Sequence, residues 1–206
     1  MKLSDEGLKA VLAWWHALHP DRDRERNKAG DAAARAELRR CQNLTDALLI
    51  EPTHDLIRRV HLAMRSDWPK NSDAQTRLME RLALLAALLA GIRPPAHPSR
   101  QHFAAVLGLK ADGHLAMEGE RPRLSRARFG ALLRAGDEPD RFLRATRRAL
   151  AILGDTPFNV AAFIADVMTF DDRTRRDWTL HYYQPYGLSP LPPAEAAAPN
   201  APETAL

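Results

Sequence analysis

Apolar residues recur at the spacing of an α-helix in one segment after another, and the alternating pattern of a β-strand is nearly absent. Positions i, i+3, i+4 and i+7 fall on one face of a helix. In the first such segment, Ser4 can act as the cap, and Asp5 and Glu6 suit the positive end of the helix dipole. The apolar face of this segment is Leu8, Val11, Leu12 and Trp15. This pattern predicts an all-α fold.

Capping and termination signals divide the chain into about nine helices. Ser, Thr or Asp precedes the helices, and glycine follows several of them. We expect two small helical lobes, residues 1–95 and 99–185, joined by a proline-rich linker, and a disordered Pro/Ala-rich tail over residues 186–206. Counting the capping residue, the predicted helices begin at Ser4, Asp31, Thr53, Ser72 or Asp73, Ser99, Ser125, Asp137, Thr156, and Asp171 or Asp172.

The composition indicates the compartment. Cys41 is the only cysteine among 206 residues, so the chain cannot form an intrachain disulfide or a cysteine-based zinc site. The longest apolar run, residues 82–92, is too short for a membrane-spanning helix, which needs about 20 residues. Acidic residues also stand where a signal peptide would be basic. We therefore expect a buried core helix at residues 82–92 and a cytoplasmic protein with no membrane contact.

Three groups of residues are candidates for chemistry, and each has a structural explanation. Cys41 lies on the inner face of its helix without a catalytic motif around it, so we expect it to pack. His16 and His19 have the i, i+3 spacing of metal ligands but no third ligand nearby. Asp171 and Asp172 stand where a helix begins. We expect no enzyme activity, metal or cofactor, and an unrecognised nuclease site is the alternative.

Arginine supplies 25 of the 30 basic residues, and it is unevenly distributed. Between residues 121 and 148, nine arginines oppose three acidic residues, a local net charge of +6. The guanidinium fork suits phosphate, although a GC-rich genome also raises arginine content. In the predicted helix 138–153, four arginines occupy an arc about 120° wide, opposite the apolar face, at 100° per residue. They are Arg141, Arg144, Arg147 and Arg148.

Two shorter predicted helices carry further arginines. A row of arginines on one helix is usually a solvated face, but three such helices in one chain favour phosphate binding. Aromatic RNA-binding signatures and a recognition helix are absent, so we expect contact with the nucleic-acid backbone rather than reading of bases. The additional arginines are Arg35, Arg39 and Arg40 in one helix, and Arg126, Arg128 and Arg134 in the other.

The order of several short segments is distinctive. Residues 128–135 read RFGALLRA, residues 145–150 read ATRRAL, and residues 173–183 read RTRRDWTLHYY. The first half adds Trp14 and Trp15, RAELRRC at residues 35–41, and a leucine-rich helix that ends at Gly91. This order resembles the CasB family, the small subunit of the type I-E CRISPR Cascade complex, with Thr146 in place of a family leucine. The resemblance covers about residues 1–185, except for the loop at 109–123.

The resemblance implies an all-α, non-catalytic subunit. Family members lie as two copies head to tail, contact the large subunit and the backbone subunits, and stabilise the R-loop. They contact the guide RNA–target DNA duplex and the displaced DNA strand through a basic groove. The alternative is a stand-alone α-helical interaction protein without specific nucleic-acid binding. From position in the family, and for two residues from helix geometry alone, the nucleic-acid-binding residues are expected to be Arg39, Arg40, Arg77, Arg128, Arg134, Arg141, Arg144, Arg147, Arg148 and Arg173.

Overall fold

The computed structural model describes residues 2–19, 31–94, 99–114, 116 and 119–183. Within these residues the chain forms ten α-helices, one 3₁₀ turn and no β-strand, which confirms the predicted all-α class. The helices are α1 (Asp5–Leu18), α2 (Ala32–Arg40), α3 (Leu44–Leu48), α4 (Glu51–Ala63), α5 (Ser72–Leu89), α6 (Phe103–Gly108), α7 (Arg126–Arg134), α8 (Pro139–Leu153), α9 (Val160–Met168) and α10 (Asp172–Tyr183), and the 3₁₀ turn is Ala135–Asp137.

Polar side chains cap three of the predicted helices as expected. Ser4, Asp31 and Asp171 each accept a hydrogen bond from the backbone N–H three residues further on, at 3.2, 2.8 and 2.9 Å. These bonds satisfy N–H groups that have no partner inside the helix. At the other end of α8, Gly154 has a φ of 57°, in the left-handed region that favours glycine.

Proline moves the start of two helices away from the predicted caps. α4 begins at Glu51 and not after Thr53, because Pro52 fits the first turn, where no N–H is needed. Thr53 is instead fully buried. α8 begins at Pro139, so Asp137 lies in the preceding 3₁₀ turn rather than at the cap.

Two further helices begin later than predicted, and one helix was not predicted. His102 rather than Ser99 caps α6, because its ring Nδ1 accepts a backbone N–H of the first turn at 3.2 Å. Asn159 rather than Thr156 caps α9, and asparagine is the stronger cap of the two. The unpredicted helix is α3, which has five residues and is capped by Asn43.

α5 lies at the centre of the core. Every residue from Leu82 to Leu89 is buried, as predicted for the longest apolar run. α5 contacts α2, α3, α4, α8 and α9. In the described part of the chain, no helix is long and apolar enough to cross a membrane.

The buried apolar side chains form one continuous cluster that includes residues from both predicted lobes. Both α1 and α5 contact α9, and the N–H of Leu44 donates to Asp140 Oδ1 at 2.8 Å. The division into two lobes stays a prediction. Residues 95–98, at the predicted boundary, and the predicted tail at residues 186–206 lie outside the described residues.

α6 and α10 approach each other closely at Gly108. A Cβ at this position would lie 2.0 Å from the carbonyl oxygen of Tyr182, so only glycine fits without a movement of the backbone. The Tyr182 ring also stacks on Phe129 of α7, with ring centroids 3.9 Å apart, and its hydroxyl donates to the Leu124 carbonyl. These contacts fix the position of α7, whose arginines face outward.

Candidate nucleic-acid interface

The outward side of α8 carries three exposed arginines, Arg141, Arg144 and Arg148. At 100° per residue they lie within about 60° of one another around the helix axis. Arg141 forms an ion pair with Glu138 at 2.7 Å. Among the described residues, neither Arg144 nor Arg148 has an ion-pair partner. We call these three arginines the outer arginine face.

Arg147 does not share this face, and the prediction that it points outward with its neighbours is wrong. Its side chain is half-buried, and its guanidinium donates to the carbonyls of Leu38 at 2.8 Å, Ala87 at 3.1 Å and Cys41. Leu38 and Ala87 lie near the C-terminal ends of α2 and α5, where carbonyls lack partners inside the helix and form the negative end of its dipole. Arg147 therefore caps two helices and holds α8 against them.

Helix geometry explains why Arg147 alone turns inward. At 100° per residue it lies about 40° from the buried Leu143, whereas Arg144 and Arg148 lie about 100° and 140° from it. From this border position the aliphatic stem of Arg147 can follow apolar surface while its charged head reaches polar groups. The exposed arginines of α8 therefore span about 60° around the helix axis, instead of the predicted arc of about 120°.

A cleft of about 410 Å³ opens beside Arg147, between the ends of α1 and α5 and the flanks of α2 and α8. Among the described residues, its basic residues come from four parts of the chain, and Asp155 is its one lining carboxylate, with Oδ2 3.8 Å from Arg93 Nη1. We call it the arginine cleft. Its titratable lining residues are His19, Arg35, Arg39, Arg93, Arg147 and Asp155.

Positive charges crowd together in the arginine cleft. Burial lowers the pKa of Arg147 and the charge of Arg39 lowers it further, although an arginine stays protonated. Burial, and then the charge of Arg35, lower the pKa of His19 to about 4, so this ring is neutral at neutral pH. Arg35 Nη1 lies 3.5 Å from His19 Nδ1, at the outer limit of a hydrogen bond. Among the described residues, four charged arginines thus face a single carboxylate, Asp155.

The other predicted residues lie on four other helices, α2, α5, α7 and α10. Arg39 lies in the arginine cleft with Arg147. Arg173 is exposed on the first turn of α10, 3.9 Å from Asp177. The remaining four are exposed and have no ion-pair partner among the described residues: Arg40 on α2, Arg77 on α5, and Arg128 and Arg134 on α7.

Two arginines of the cleft were not among the predicted residues. Arg35 precedes Arg39 by one helical turn, a spacing that was visible in the sequence, and its guanidinium donates to the Leu18 carbonyl at 3.4 Å. Arg93 follows α5 in an irregular segment, and only the tertiary fold brings it to the cleft. No local sequence pattern could have predicted that Arg93 lines the cleft.

The other candidates for chemistry take part in the fold. Cys41 is buried, and burial raises the pKa of its thiol, which disfavours the thiolate that a nucleophile needs. The thiol donates to the Glu37 carbonyl at 3.4 Å, and Asp171 caps α10. Over the residues that the structure describes, no three His, Cys, Asp or Glu side chains gather where they could hold a metal ion.

Fold and surface together define an all-α protein whose exposed arginines suit a polyanionic partner. The family model described as CRISPR-associated protein Cse2 matches residues 34–183, from α2 to the end of α10. The chain therefore belongs to the Cse2 family, also called CasB, the small subunit of the type I-E Cascade complex, which confirms the resemblance seen in the sequence. Family membership makes it a structural subunit that assembles with other Cascade subunits. Comparisons with curated proteins and with solved structures found no match.

Proposed function

We propose that this Cascade subunit binds the nucleic-acid backbone through its exposed arginines, and that it stabilises the R-loop without catalysing a reaction. The outer arginine face carries this proposal. Arg144 and Arg148 are exposed on one side of α8, and no carboxylate among the described residues pairs with them. Such guanidinium groups can donate to phosphate oxygens without first breaking an ion pair.

A few contacts of this kind are enough to stabilise an R-loop, because the free energies of the exchanged duplexes nearly balance. The guide RNA–DNA duplex is about as stable as the DNA duplex that it replaces, so a few backbone contacts can decide the balance. Contacts to phosphate carry no sequence information. That property suits a subunit of a complex in which base pairing with the guide RNA selects the target.

The proposed partners follow from the same role. They are the guide RNA–target DNA duplex, the displaced DNA strand, the large subunit, the backbone subunits and a second copy of this chain. The buried Cys41 thiol supports a role without catalysis.

The proposal is tested in the assembled complex with its guide RNA. The variant Arg144→Ala/Arg148→Ala should shorten the lifetime of the R-loop on a matched target several-fold, because two phosphate contacts are lost. Retention of the guide RNA should not change. An R-loop lifetime equal to that of the wild type would contradict the proposal and favour an interaction protein that does not touch nucleic acid.

The matched control is Arg58→Ala/Arg59→Ala. It removes the same charge from two exposed arginines of α4, but these are paired with Glu51 at 2.7 Å and Asp55 at 2.9 Å. The control should leave the R-loop lifetime near that of the wild type. Equal loss in both variants would show that total charge matters and that the outer arginine face does not.

A further inference from the structure

We propose that the arginine cleft is an anchoring site for a phosphate of the nucleic-acid backbone, held by Arg39 and Arg93. The inference rests on the proposed backbone binding and deepens it, since it names a second, concave site for the same kind of ligand. Three observations carry it: the unbalanced charge of the cleft, the hydrogen bonds that its arginines already make, and the residues that form its walls.

The charge of the cleft is strongly unbalanced. Over the part of the chain that the structure describes, four arginines line it and one carboxylate, Asp155, opposes them. Burial lowers the pKa of Arg147 and of His19, and the charges of Arg39 and Arg35, respectively, lower these two pKa values further. Holding like charges together costs free energy, and an anion in the cleft would offset this cost.

The existing hydrogen bonds divide the four arginines into two pairs. Arg147 is occupied by three carbonyls, and Arg35 is held by the Leu18 carbonyl and by His19. By contrast, Arg39 has no hydrogen bond or ion pair with any described residue, and Arg93 has only the 3.8 Å contact with the exposed Asp155. Arg39 and Arg93 are therefore the two whose donors are available to a ligand.

His19 adds a buried polar atom at the wall of the cleft. The residue is 7% exposed, and its Nε2 has no hydrogen-bond partner among the described residues. The Leu89 carbonyl raises the pKa of the ring, against the larger effect of burial. A buried polar nitrogen without a partner costs free energy, and an oxygen of a bound anion that accepts a hydrogen bond from Nε2 would recover this cost.

The size and the walls of the cleft point to a phosphodiester rather than a base. Pockets of about 300–1,000 Å³ accommodate small organic ligands, so this cleft of about 410 Å³ has room for a phosphate and its neighbouring sugars. Of the described residues that line it, none except His19 is aromatic, so they offer a base no stacking surface. Arginine forks match phosphate oxygens.

The test uses the full chain and two probes. The first is a single-stranded DNA of about 12 nucleotides, with binding followed by fluorescence anisotropy at fixed salt. The second is inorganic phosphate, with the melting temperature compared in phosphate and in chloride at equal ionic strength. We expect Arg39→Ala/Arg93→Ala to weaken DNA binding at least about tenfold and to remove the stabilisation by phosphate. If that variant does not fold, Arg39→Gln/Arg93→Gln keeps most of each side chain and removes only the charge.

The outcomes separate this inference from the proposed function. If Arg144→Ala/Arg148→Ala weakens DNA binding but the Arg39/Arg93 variant binds as the wild type does, the cleft inference is overturned and the proposed function stands. If neither variant weakens binding, both are overturned. If the Arg39/Arg93 variant loses only the stabilisation by phosphate, the cleft is a site for free phosphate and the nucleic-acid assignment is overturned.

Discussion

The outer arginine face and the arginine cleft use the same residue type for different purposes, although Arg147 and Arg148 are adjacent in the chain. Arg148 is exposed and has no ion-pair partner among the described residues. Arg147 is half-buried, and its guanidinium donates to three carbonyls, one on α2, one on α5 and one at Cys41, which directly follows α2. The difference shows that the partners of a guanidinium, rather than its position in an arginine-rich stretch, decide whether it stabilises the fold or is available to a ligand.

Replacement of Arg147 should produce the largest effect on stability. Arg147→Ala leaves three backbone carbonyls without their donor, and hydrogen bonds from charged groups contribute 1.5–3 kcal/mol each without being additive, so we expect a loss of about 3 kcal/mol. In a protein of this size the melting temperature should fall by about 6–12 °C. Thermal denaturation of the variant and the wild type measures this fall in melting temperature.

The same experiment on Arg148 sharpens the comparison. Arg148→Ala should change the free energy of unfolding by less than about 0.5 kcal/mol, because an exposed side chain without partners is lost. Arg147→Lys should fall between the two, since lysine keeps the charge and loses the fork. Equal stability of Arg147→Ala and Arg148→Ala would contradict the assignment of Arg147 to the fold.

A substitution at Gly108, where α6 and α10 approach each other, should have the next largest effect on stability. Gly108→Ala places a Cβ 2.0 Å from the Tyr182 carbonyl, so α6 and α10 must move apart. Overpacking of this kind costs about 1–3 kcal/mol. Urea denaturation should show a lower midpoint. Gly91→Ala, whose Cβ would have only one neighbour, the Leu88 carbonyl at 3.4 Å, is the control and should be nearly neutral.

The cleft should also make stability depend on pH in a way that the outer arginine face does not. The pKa of His19 is 6.5 in the unfolded chain and about 4 in the folded protein, so the folded protein takes up this proton only at lower pH. The free energy of unfolding therefore falls as the pH is lowered through this window, by at most about 1.4 kcal/mol per pH unit. Between about pH 7 and pH 5, where few carboxylates titrate, His19→Gln should lose less stability than the wild type. Identical pH profiles would show that His19 is not buried in its neutral form.

The smallest effect is the difference in DNA binding between two arginines of the outer arginine face, Arg141 and Arg144. Arg141 pairs with Glu138 at 2.7 Å, so a phosphate contact from Arg141 must compete with that carboxylate. Arg141→Ala should therefore weaken DNA binding less than Arg144→Ala does, although both remove one charge from α8. Anisotropy titrations of the two single variants make this comparison, and a larger loss for Arg141→Ala would show that the ion pair does not matter.

Much of this account was predictable from local sequence. The all-α class and the buried α5 follow from periodicity and from the length of one apolar run, and the outward position of Arg144 and Arg148 follows from the geometry of a single helix. The inward turn of Arg147 was not predictable, because its border position allows either direction and carbonyls of α2 and α5 decide it. The place of Arg93 in the cleft depends on how α5 packs against α8, which no local pattern encodes.

The central claim is that arginines without carboxylate partners bind the nucleic-acid backbone. It is tested most directly by titrating single-stranded DNA into the purified chain over a range of salt concentrations. The slope of log K against log salt is about −0.7 per phosphate neutralised. Arg144→Ala/Arg148→Ala should make that slope shallower by about 1.4, equally for unrelated DNA sequences, while Arg58→Ala/Arg59→Ala leaves it unchanged. An unchanged slope in the first variant, or the same change in both, would contradict the account.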